Sequence, residues 1–309
     1  MKRFFPSIFT LKRGSEVLLI AIVALGLSVI AGWYLHVQWL VQALPDHAAM
    51  QFNTALCFVL SALALAMTSS KANTISLWMI LTVLILSTLN LIQYLLMCDL
   101  RIDQLFVTHF IQIKTPYPGR MAPNTAIAFL LFSFSYLVLH YRSSHRVAIM
   151  LALSSTIITS MFGAAAVVGY LGKVETSYGW GNVTQMAFNT ALGFIALGGS
   201  GFLRVLERDR AKNTLRSSVY SAVFGISITI FGVYMWNALS RAEHNDIRQA
   251  TQTAVQSAKD RLLTRLVEVT HALRRMAERI NFGMQDEAWQ KDAEFYFRDF
   301  PAYTTQAAE

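Results

Sequence analysis

Seven long apolar segments, with no charged residue in their interiors, constrain this sequence more than any other feature. They cover approximately residues 15–35, 51–68, 75–97, 122–140, 147–170, 185–203 and 217–239. Each is about long enough, as a helix, to cross a hydrocarbon core roughly 30 Å thick. Hydrophobic residues make up 54% of the chain and charged residues only 14%, which is typical of a polytopic membrane protein. The sequence therefore predicts an all-α fold with seven transmembrane helices.

The basic residues beside these segments predict the orientation. Twelve Lys and Arg residues flank one side, from Lys2, Arg3, Lys12 and Arg13 to Arg216, whereas the loops of the other side carry Arg101, Lys114, Arg120 and Lys173. Basic residues are retained on the cytoplasmic side during insertion. We therefore expect a bacterial inner-membrane protein with a cytoplasmic N-terminus and a periplasmic C-terminal segment. The net charge of +8 then reflects topology and contact with membrane lipids, and no nucleic-acid partner is expected.

Three of the segments open with nearly the same residues, which is an internal repeat. The copies are Met50-Gln51-Phe52-Asn53-Thr54-Ala55, Met121-Ala122-Pro123-Asn124-Thr125-Ala126 and Met186-Ala187-Phe188-Asn189-Thr190-Ala191. Phe58, Phe129 and Phe194 follow at the same distance in each copy. The spacing between copies fits two membrane-crossing helices with their loops. The sequence thus predicts three helix-pair repeats, in which spans two, four and six run in the same direction.

The repeated Asn and Thr residues are the main candidate site. With this topology, Asn53, Thr54, Asn124, Thr125, Asn189 and Thr190 lie at one depth near the periplasmic face. Helix N-termini also expose unpaired N–H groups, so a ring of amides could receive an acceptor group of a ligand. Alternatively, Asn caps its own helix, or Asn and Thr join membrane helices by hydrogen bonds without any ligand. Both interpretations stay open at the level of sequence.

Other candidate residues surround this predicted ring. Met50, Met121 and Met186 fill apolar gaps or bind a soft metal such as Cu(I). In the loop before the second motif, Asp103 and Arg120 are expected to form an exposed ion pair of small energetic weight that pins the loop over the outer pocket. The same loop, around Ile102–Phe106, is expected to contain a short interfacial helix. For cofactors, lipid, quinone, haem and copper all remain open.

After Leu239 the composition changes abruptly to charged and polar. An apolar stripe at helical spacing follows, consisting of Val255, Ala258, Leu262, Leu266, Val269, Leu273, Met276 and Ile280. It predicts a long extracytoplasmic helix that continues from span seven. The stripe packs either on its own domain or as a coiled-coil seam in a homodimer. The residues after Asn281-Phe282-Gly283 are too few for a complete domain, so we expect the chain to be part of a larger protein.

Two stretches resemble known families. Gly119–Ala126, with Ile102-Asp103-Gln104-Leu105 upstream, is similar to the N-terminal multi-helix membrane module of many bacterial sensor histidine kinases and diguanylate cyclases. The tail, with Arg274–Arg279 and Trp289 through Asp299-Phe300-Pro301, resembles the opening of a CHASE-like periplasmic sensor domain. The resemblance implies a seven-helix transmembrane sensor module at 1–239 and the incomplete N-terminal part of the periplasmic domain at 240–309. It also implies a cytoplasmic output domain, for example in a two-component system, which this chain lacks.

The leading hypothesis for function is therefore the sensory module of a signal-transduction receptor. It would bind a small or lipid-soluble ligand near the periplasmic ends of spans two, four and six, or through the periplasmic domain, and bias one of two helix arrangements. The alternative is a repeat-built carrier or channel for an uncharged solute, since the spans lack ionisable groups for ion coupling. No catalytic grouping is apparent, and span seven lacks the Lys that a retinal protein requires. We therefore expect no enzyme activity from this chain.

Overall fold

The computed structural model of the chain describes residues 8–67, 73–111, 113, 116–141, 145–179, 183–212, 215, 217–281, 290–291 and 294–295. The described residues form helices and connecting turns, without a β-strand among them. The helices are α1 (Ile8–Leu35), α2 (Gln38–Val41), α3 (Phe52–Met67), α4 (Asn73–Leu95), α5 (Pro123–Tyr141), α6 (Arg146–Gly172), α7 (Phe188–Lys212) and α8 (Ser217–Asn281). A one-turn 3₁₀ helix, Glu175–Ser177, lies between α6 and α7. The all-α class predicted from the sequence is confirmed.

Six helices of the described part are long and apolar enough to cross a membrane. These candidate spans are Phe9–Leu35, Thr74–Leu95, Pro123–Tyr141, Arg146–Gly172, Phe188–Arg210 and Val219–Arg241. The described part of the second predicted span is α3, which has 16 residues and is about 24 Å long at 1.5 Å per residue, so it is not among these six. The structure thus supports a membrane protein with six candidate spans, and a seventh crossing stays a prediction.

Six of the helices pack in a closed ring. Going round it, α1 packs on α3, α3 on α4, α4 on α5, α5 on α6, α6 on α7, and α7 back on α1. The three helices that begin with the repeated motif, α3, α5 and α7, also contact one another. They therefore form the inner layer of the ring, and α1, α4 and α6 fill the spaces between them. We call the end where α3, α5 and α7 begin the motif end.

The chain divides into two compact units, Met1–Ala242 and Glu243–Glu309. In the first unit, α8 packs on α6 and α7 near its start, where Val223 joins a small core with Ile149 and Val205. In the second unit, the described side chains of the helix are almost all exposed. Its exposed apolar residues include Val255, Leu262, Leu266 and Leu273, each more than half exposed. Trp289 and Asp299-Phe300-Pro301, on which part of the predicted resemblance depends, lie outside the described residues.

Candidate functional site

The three motifs start their helices in the same way. Each helix begins at the third motif residue, Phe52, Pro123 or Phe188, so that the motif Asn is the second helical residue. The first intrahelical hydrogen bonds run from Ala55, Ala126 and Ala191 to the carbonyls of Gln51, Ala122 and Ala187, at 3.1, 2.9 and 3.0 Å. The cap position is therefore Gln or Ala. The motif Asn is therefore not at the cap position, although Asn124 Oδ1 and Asn189 Oδ1 accept the N–H of Thr125 and Thr190 in the first turn of their own helices, at 2.9 and 3.2 Å.

Each motif Asn instead donates its amide to a backbone carbonyl of a different segment. The pairs are Asn53 with Ile102 and Asp103 (3.3 Å each), Asn124 with Tyr178 (3.1 Å), and Asn189 with Val41 (3.2 Å). The acceptors lie between α4 and α5, between α6 and α7, and between α1 and α3. Each inner helix is thereby bound to the segment that precedes the next inner helix in the cycle.

These amides are almost completely buried. Asn53 and Asn124 are 2% exposed and Asn189 is 5% exposed. Burying an amide without a hydrogen bond would cost about 1–3 kcal/mol, so the carbonyl partners explain how the three side chains are tolerated there. The structure therefore supports their role in joining segments, and a direct contact of these amides with a ligand stays a prediction.

The Phe residues of the repeat meet between the three inner helices, and the Thr residues of the repeat are buried. The rings of Phe58, Phe129 and Phe194 contact one another with centroid distances of 4.7–4.8 Å, which closes a triangle. Thr54, Thr125 and Thr190, one helical turn before them, are each 2% exposed. Aromatic pairs at this separation stabilise a core beyond the area they bury. The triangle thus fixes the spacing of α3, α5 and α7 just below the motif end.

The motif Met residues are buried side chains whose carbonyls accept hydrogen bonds. Met50 and Met121 are fully buried and Met186 is 1% exposed. Their carbonyl oxygens accept from Trp33 Nε1 (2.9 Å), Tyr94 Oη (3.0 Å) and Tyr170 Oη (2.6 Å). Sequence reasoning missed these donors. The signal was present, since an aromatic residue with a polar tip lies near the end of the long helix before each motif, α1, α4 or α6.

The predicted ion pair between Asp103 and Arg120 forms, with Arg120 Nε 2.8 Å from Asp103 Oδ2. It is buried, which corrects the expectation of an exposed pair, since Arg120 is 4% and Asp103 9% exposed. Gln93 Nε2 donates to Asp103 Oδ1 at 2.9 Å, and Arg120 Nη2 contacts Gln93 Oε1 at 3.3 Å. The Arg120 guanidinium also lies over the rings of Tyr117 and Tyr94. The pair is thus the centre of a polar cluster that joins α4 to the start of α5.

Gly119 allows this cluster to close. Its backbone has φ +79°, and an added Cβ would lie 2.5 Å from the carbonyl oxygen of Asp103. Another residue would force Arg120 away from its carboxylate partner, because both the backbone conformation and the close approach require glycine. The segment around Ile102–Phe106 consists of turns and bends. The short interfacial helix expected there is therefore absent, and the backbone is fixed by Asn53 and Arg120 instead.

A cavity of about 600 Å³ opens beside the cluster. Its walls include the buried Asp103 and Arg120, the exposed charges Asp99 and Arg101, and the rings of Tyr94 and Tyr117. The volume is within the range of about 300–1,000 Å³ that is usual for small-molecule sites. Of the predicted site residues, Asp103 and Arg120 therefore line a cavity, whereas the motif Asn, Thr and Met residues do not line it.

The histidines of the motif end contact aromatic rings. His36 contacts Phe110, and His109 lies 4.8 Å from the ring of Trp33. Both ring nitrogens of His109 are buried and have no hydrogen-bond partner in the described part of the chain, and burial lowers the pKa of this imidazole from 6.5 to about 4. Among the described residues, no group of three or more His, Cys, Asp or Glu side chains is arranged to hold a metal.

The 3₁₀ turn Glu175–Ser177 connects the motif end with α8. Tyr234 Oη of α8 donates to the carbonyl of Ser177 at 2.9 Å, and Thr176 Oγ1 donates to the carbonyl of Ala238 at 2.5 Å. The next residue, Tyr178, accepts the amide of Asn124 and stacks on Tyr170 at 4.0 Å. One short segment is therefore held by an inner helix on one side and by α8 on the other.

Comparison with known proteins gives no family for the chain. No family model, no curated protein and no solved structure matches it.

Proposed function

We propose that this chain is the membrane-embedded sensory module of a bacterial signal-transduction receptor. A small or lipid-soluble ligand binds at the motif end, which faces the periplasm, and the change passes along α8 to a cytoplasmic output domain outside this chain. The proposal includes seven membrane crossings built as three helix pairs, α1–α3, α4–α5 and α6–α7. The closed ring of six helices, the Phe triangle and the cyclic Asn contacts support this arrangement.

The observation that carries the proposal is the position of the turn Glu175–Ser177 between the ring and α8. Arg120, beside the cavity, is followed closely in sequence by Asn124 at the start of α5. The Asn124 amide holds Tyr178, and the preceding residue, Ser177, accepts the hydroxyl of Tyr234. A displacement at the cavity therefore reaches α8 through two successive hydrogen bonds and the short chain segments 120–124 and 177–178. Since a ligand shifts an equilibrium only by binding one arrangement better, this path is where the two arrangements must differ.

Removal of one motif amide tests this relay. We expect Asn124→Ala to increase amide hydrogen exchange in residues 175–178 and in α8 around Tyr234, because the bond to Tyr178 is lost. A hydrogen bond is worth about 1 kcal/mol, so exchange by local opening should rise about fivefold. The measurement is hydrogen exchange with mass spectrometry on the full chain in lipid nanodiscs.

Asn53→Ala is the matched control for this experiment. Asn53 has the same motif position and the same 2% exposure as Asn124, but its acceptors lie between α4 and α5. It should loosen residues 102–103 and leave exchange in α8 unchanged. Equal effects of the two variants on α8, or an effect of neither, would refute the relay.

We also propose that the receptor is a homodimer joined through α8. The stripe residues Leu266 and Leu273 are 56% and 52% exposed, and a two-stranded coiled coil would bury them. Leu266→Asp with Leu273→Asp should halve the protein mass measured by light scattering in detergent. Thr264→Asp, on the opposite face of the helix, is the control and should leave the mass unchanged. A wild-type mass that corresponds to one chain would disprove the dimer.

A further inference from the structure

The polar cluster at the cavity divides its charges into two groups. Asp103 and Arg120 satisfy each other, and Gln93 supports both of them. The hydrogen bonds of the Arg120 guanidinium use Nε and Nη2 and leave Nη1 without a partner among the described residues. Arg120 is 4% exposed and lines the cavity, so its remaining donor belongs to a buried side chain at the cavity wall.

Asp99 and Arg101 form the second group. Both line the cavity and both are exposed; the side chain of Asp99 is 70% exposed. Asp99 Oδ1 accepts the backbone N–H of Arg101 at 2.8 Å and lies 3.7 Å from Arg120 Nη2. The guanidinium of Arg101 has no hydrogen bond or ion pair with any residue in the described ranges. The cavity therefore presents one exposed guanidinium without an ion pair in the described part of the chain, and one exposed carboxylate whose ion pair with Arg120 is long, at 3.7 Å.

The balance of charge restricts the ligand. Two Arg and two Asp line the cavity, so its walls have no net charge. A ligand of a single charge would pair with one exposed group and be repelled by the other, which has the same sign as the ligand. A ligand with both signs satisfies both groups. Arg also favours carboxylate and phosphate oxygens because its planar donors match their geometry.

We propose that this cavity binds a small zwitterion that carries an ammonium group and a carboxylate or phosphate. The acidic group contacts Arg101 and Nη1 of Arg120, and the ammonium contacts Asp99. This ligand has two sources, a free amino acid or the phosphoethanolamine headgroup of a membrane lipid. The inference deepens the proposed function, on which it rests for the assignment of the motif end as the receiving end.

Thermal unfolding of the full chain in detergent tests the inference, since a ligand of the folded state raises the unfolding temperature more as its concentration exceeds its Kd. The probes are the common free amino acids and phosphoethanolamine, each compared with ethanolamine alone and with inorganic phosphate alone. We expect at least one zwitterion to stabilise the protein at concentrations where the two single-charge compounds do not. A response to amino acids indicates the free source, and a response to phosphoethanolamine indicates the lipid headgroup.

Two substitutions locate the binding site. Asp99→Asn keeps the oxygen that accepts the N–H of Arg101 and removes the charge, and Arg101→Gln removes the guanidinium. Each should weaken zwitterion binding about tenfold or more, as loss of a charge-assisted hydrogen bond does. Asp46→Asn and Lys173→Gln remove exposed charges of the same end that do not line the cavity, and they should bind like the wild type.

Three results would overturn the inference: no zwitterion stabilises the protein, a single-charge compound stabilises it equally well, or the Asp99 and Arg101 variants bind like the wild type. Failure here is distinct from failure of the receptor proposal. Binding is measured without reference to α8, whereas the hydrogen-exchange comparison of Asn124 and Asn53 variants needs no added ligand.

Discussion

Separation of Asp103 from Arg120 should destabilise the protein far more than loss of an ordinary surface ion pair. The two side chains are 8% and 5% exposed, and their charged atoms are 2.8 Å apart. Removal of one partner leaves the other charge buried, which typically costs about 3–5 kcal/mol. Arg120→Gln should cost about 5 kcal/mol, the upper end of this range, because it also removes the contacts with Gln93, the Cys98 carbonyl and two tyrosine rings.

Asp103→Asn should cost less, about 2–3 kcal/mol, because Arg120 keeps the carbonyl of Cys98 and the rings of Tyr94 and Tyr117. The double variant removes both charges, and no buried ion remains unpaired. We therefore expect the double variant to be less destabilised than the sum of the single variants by about 2 kcal/mol. The assay is reversible unfolding by SDS in mixed micelles, with the free energy of unfolding fitted for each variant.

The pair Arg204–Glu207 provides the control, because it belongs to the same compact unit. Its charged atoms are 3.4 Å apart, it joins neighbouring turns of one helix, and its side chains are 12% and 23% exposed. A double-mutant cycle with Gln at both positions should give a coupling free energy below about 1 kcal/mol. If the Asp103–Arg120 coupling were no larger than this, the cluster would not anchor the loop between α4 and α5.

Three shorter predictions concern a core ring, a buried histidine and the two cysteines. Phe129→Ala removes one ring of the Phe triangle and should cost about 3–5 kcal/mol of unfolding free energy in the same assay. Phe134→Ala, at a residue 44% exposed, should cost less than about 1 kcal/mol, and equal costs of the two variants would show that the triangle is not part of the core. Because the pKa of His109 is lowered to about 4, the folded protein binds fewer protons than the unfolded chain between this value and 6.5, and stability is lost as the pH falls through that window. Between pH 7 and pH 5 the wild type should lose about 1 kcal/mol more unfolding free energy than His109→Phe, a figure that allows for partial exposure of the ring. If the unfolding free energies of the two proteins changed equally with pH, the lowered pKa of His109 would be contradicted. Finally, a membrane-impermeant maleimide should label the half-buried Cys98 in spheroplasts but not the buried Cys57; labelling of Cys98 only after lysis would reverse the proposed orientation.

The features that were predicted well from the sequence are those encoded by residues close together along the chain. Long apolar runs without charges predicted the candidate spans, and the repeat predicted where α3, α5 and α7 begin. The Asp103–Arg120 pair was also predicted, because Arg120 immediately precedes the second motif and Asp103 lies in the same loop. Its burial was not, since burial depends on how Gly119 and Gln93 bring the loop back onto α4.

The partners of the motif Asn residues could not have been predicted. Their acceptors are backbone carbonyls, which every residue has, so the identity of Tyr178 or Val41 carries no signal for them. The polar residues of α4, in contrast, could have predicted a contact with another segment. Asn90 and Gln93 are fully buried on a candidate span and three residues apart, and such residues usually have a specific partner. Asn90 Oδ1 accepts the N–H of Met121 at 3.2 Å, so α4 positions the second motif directly.

The hydrogen bonds of the three motif Asn residues have the same chemistry, but they hold segments with different neighbours. Each motif Asn holds a backbone carbonyl in the segment before another inner helix, so chemistry alone would not favour one of them for signalling. Within the described residues, the segment held by Asn53 borders the cavity, and the segment held by Asn124 contacts α8. Both properties meet at α5. This helix begins close to Arg120, and its Asn124 donates to the carbonyl of Tyr178. A ligand at the cavity and a displacement of α8 are therefore coupled through one helix start, which is why the second motif, rather than the ring as a whole, should control the output.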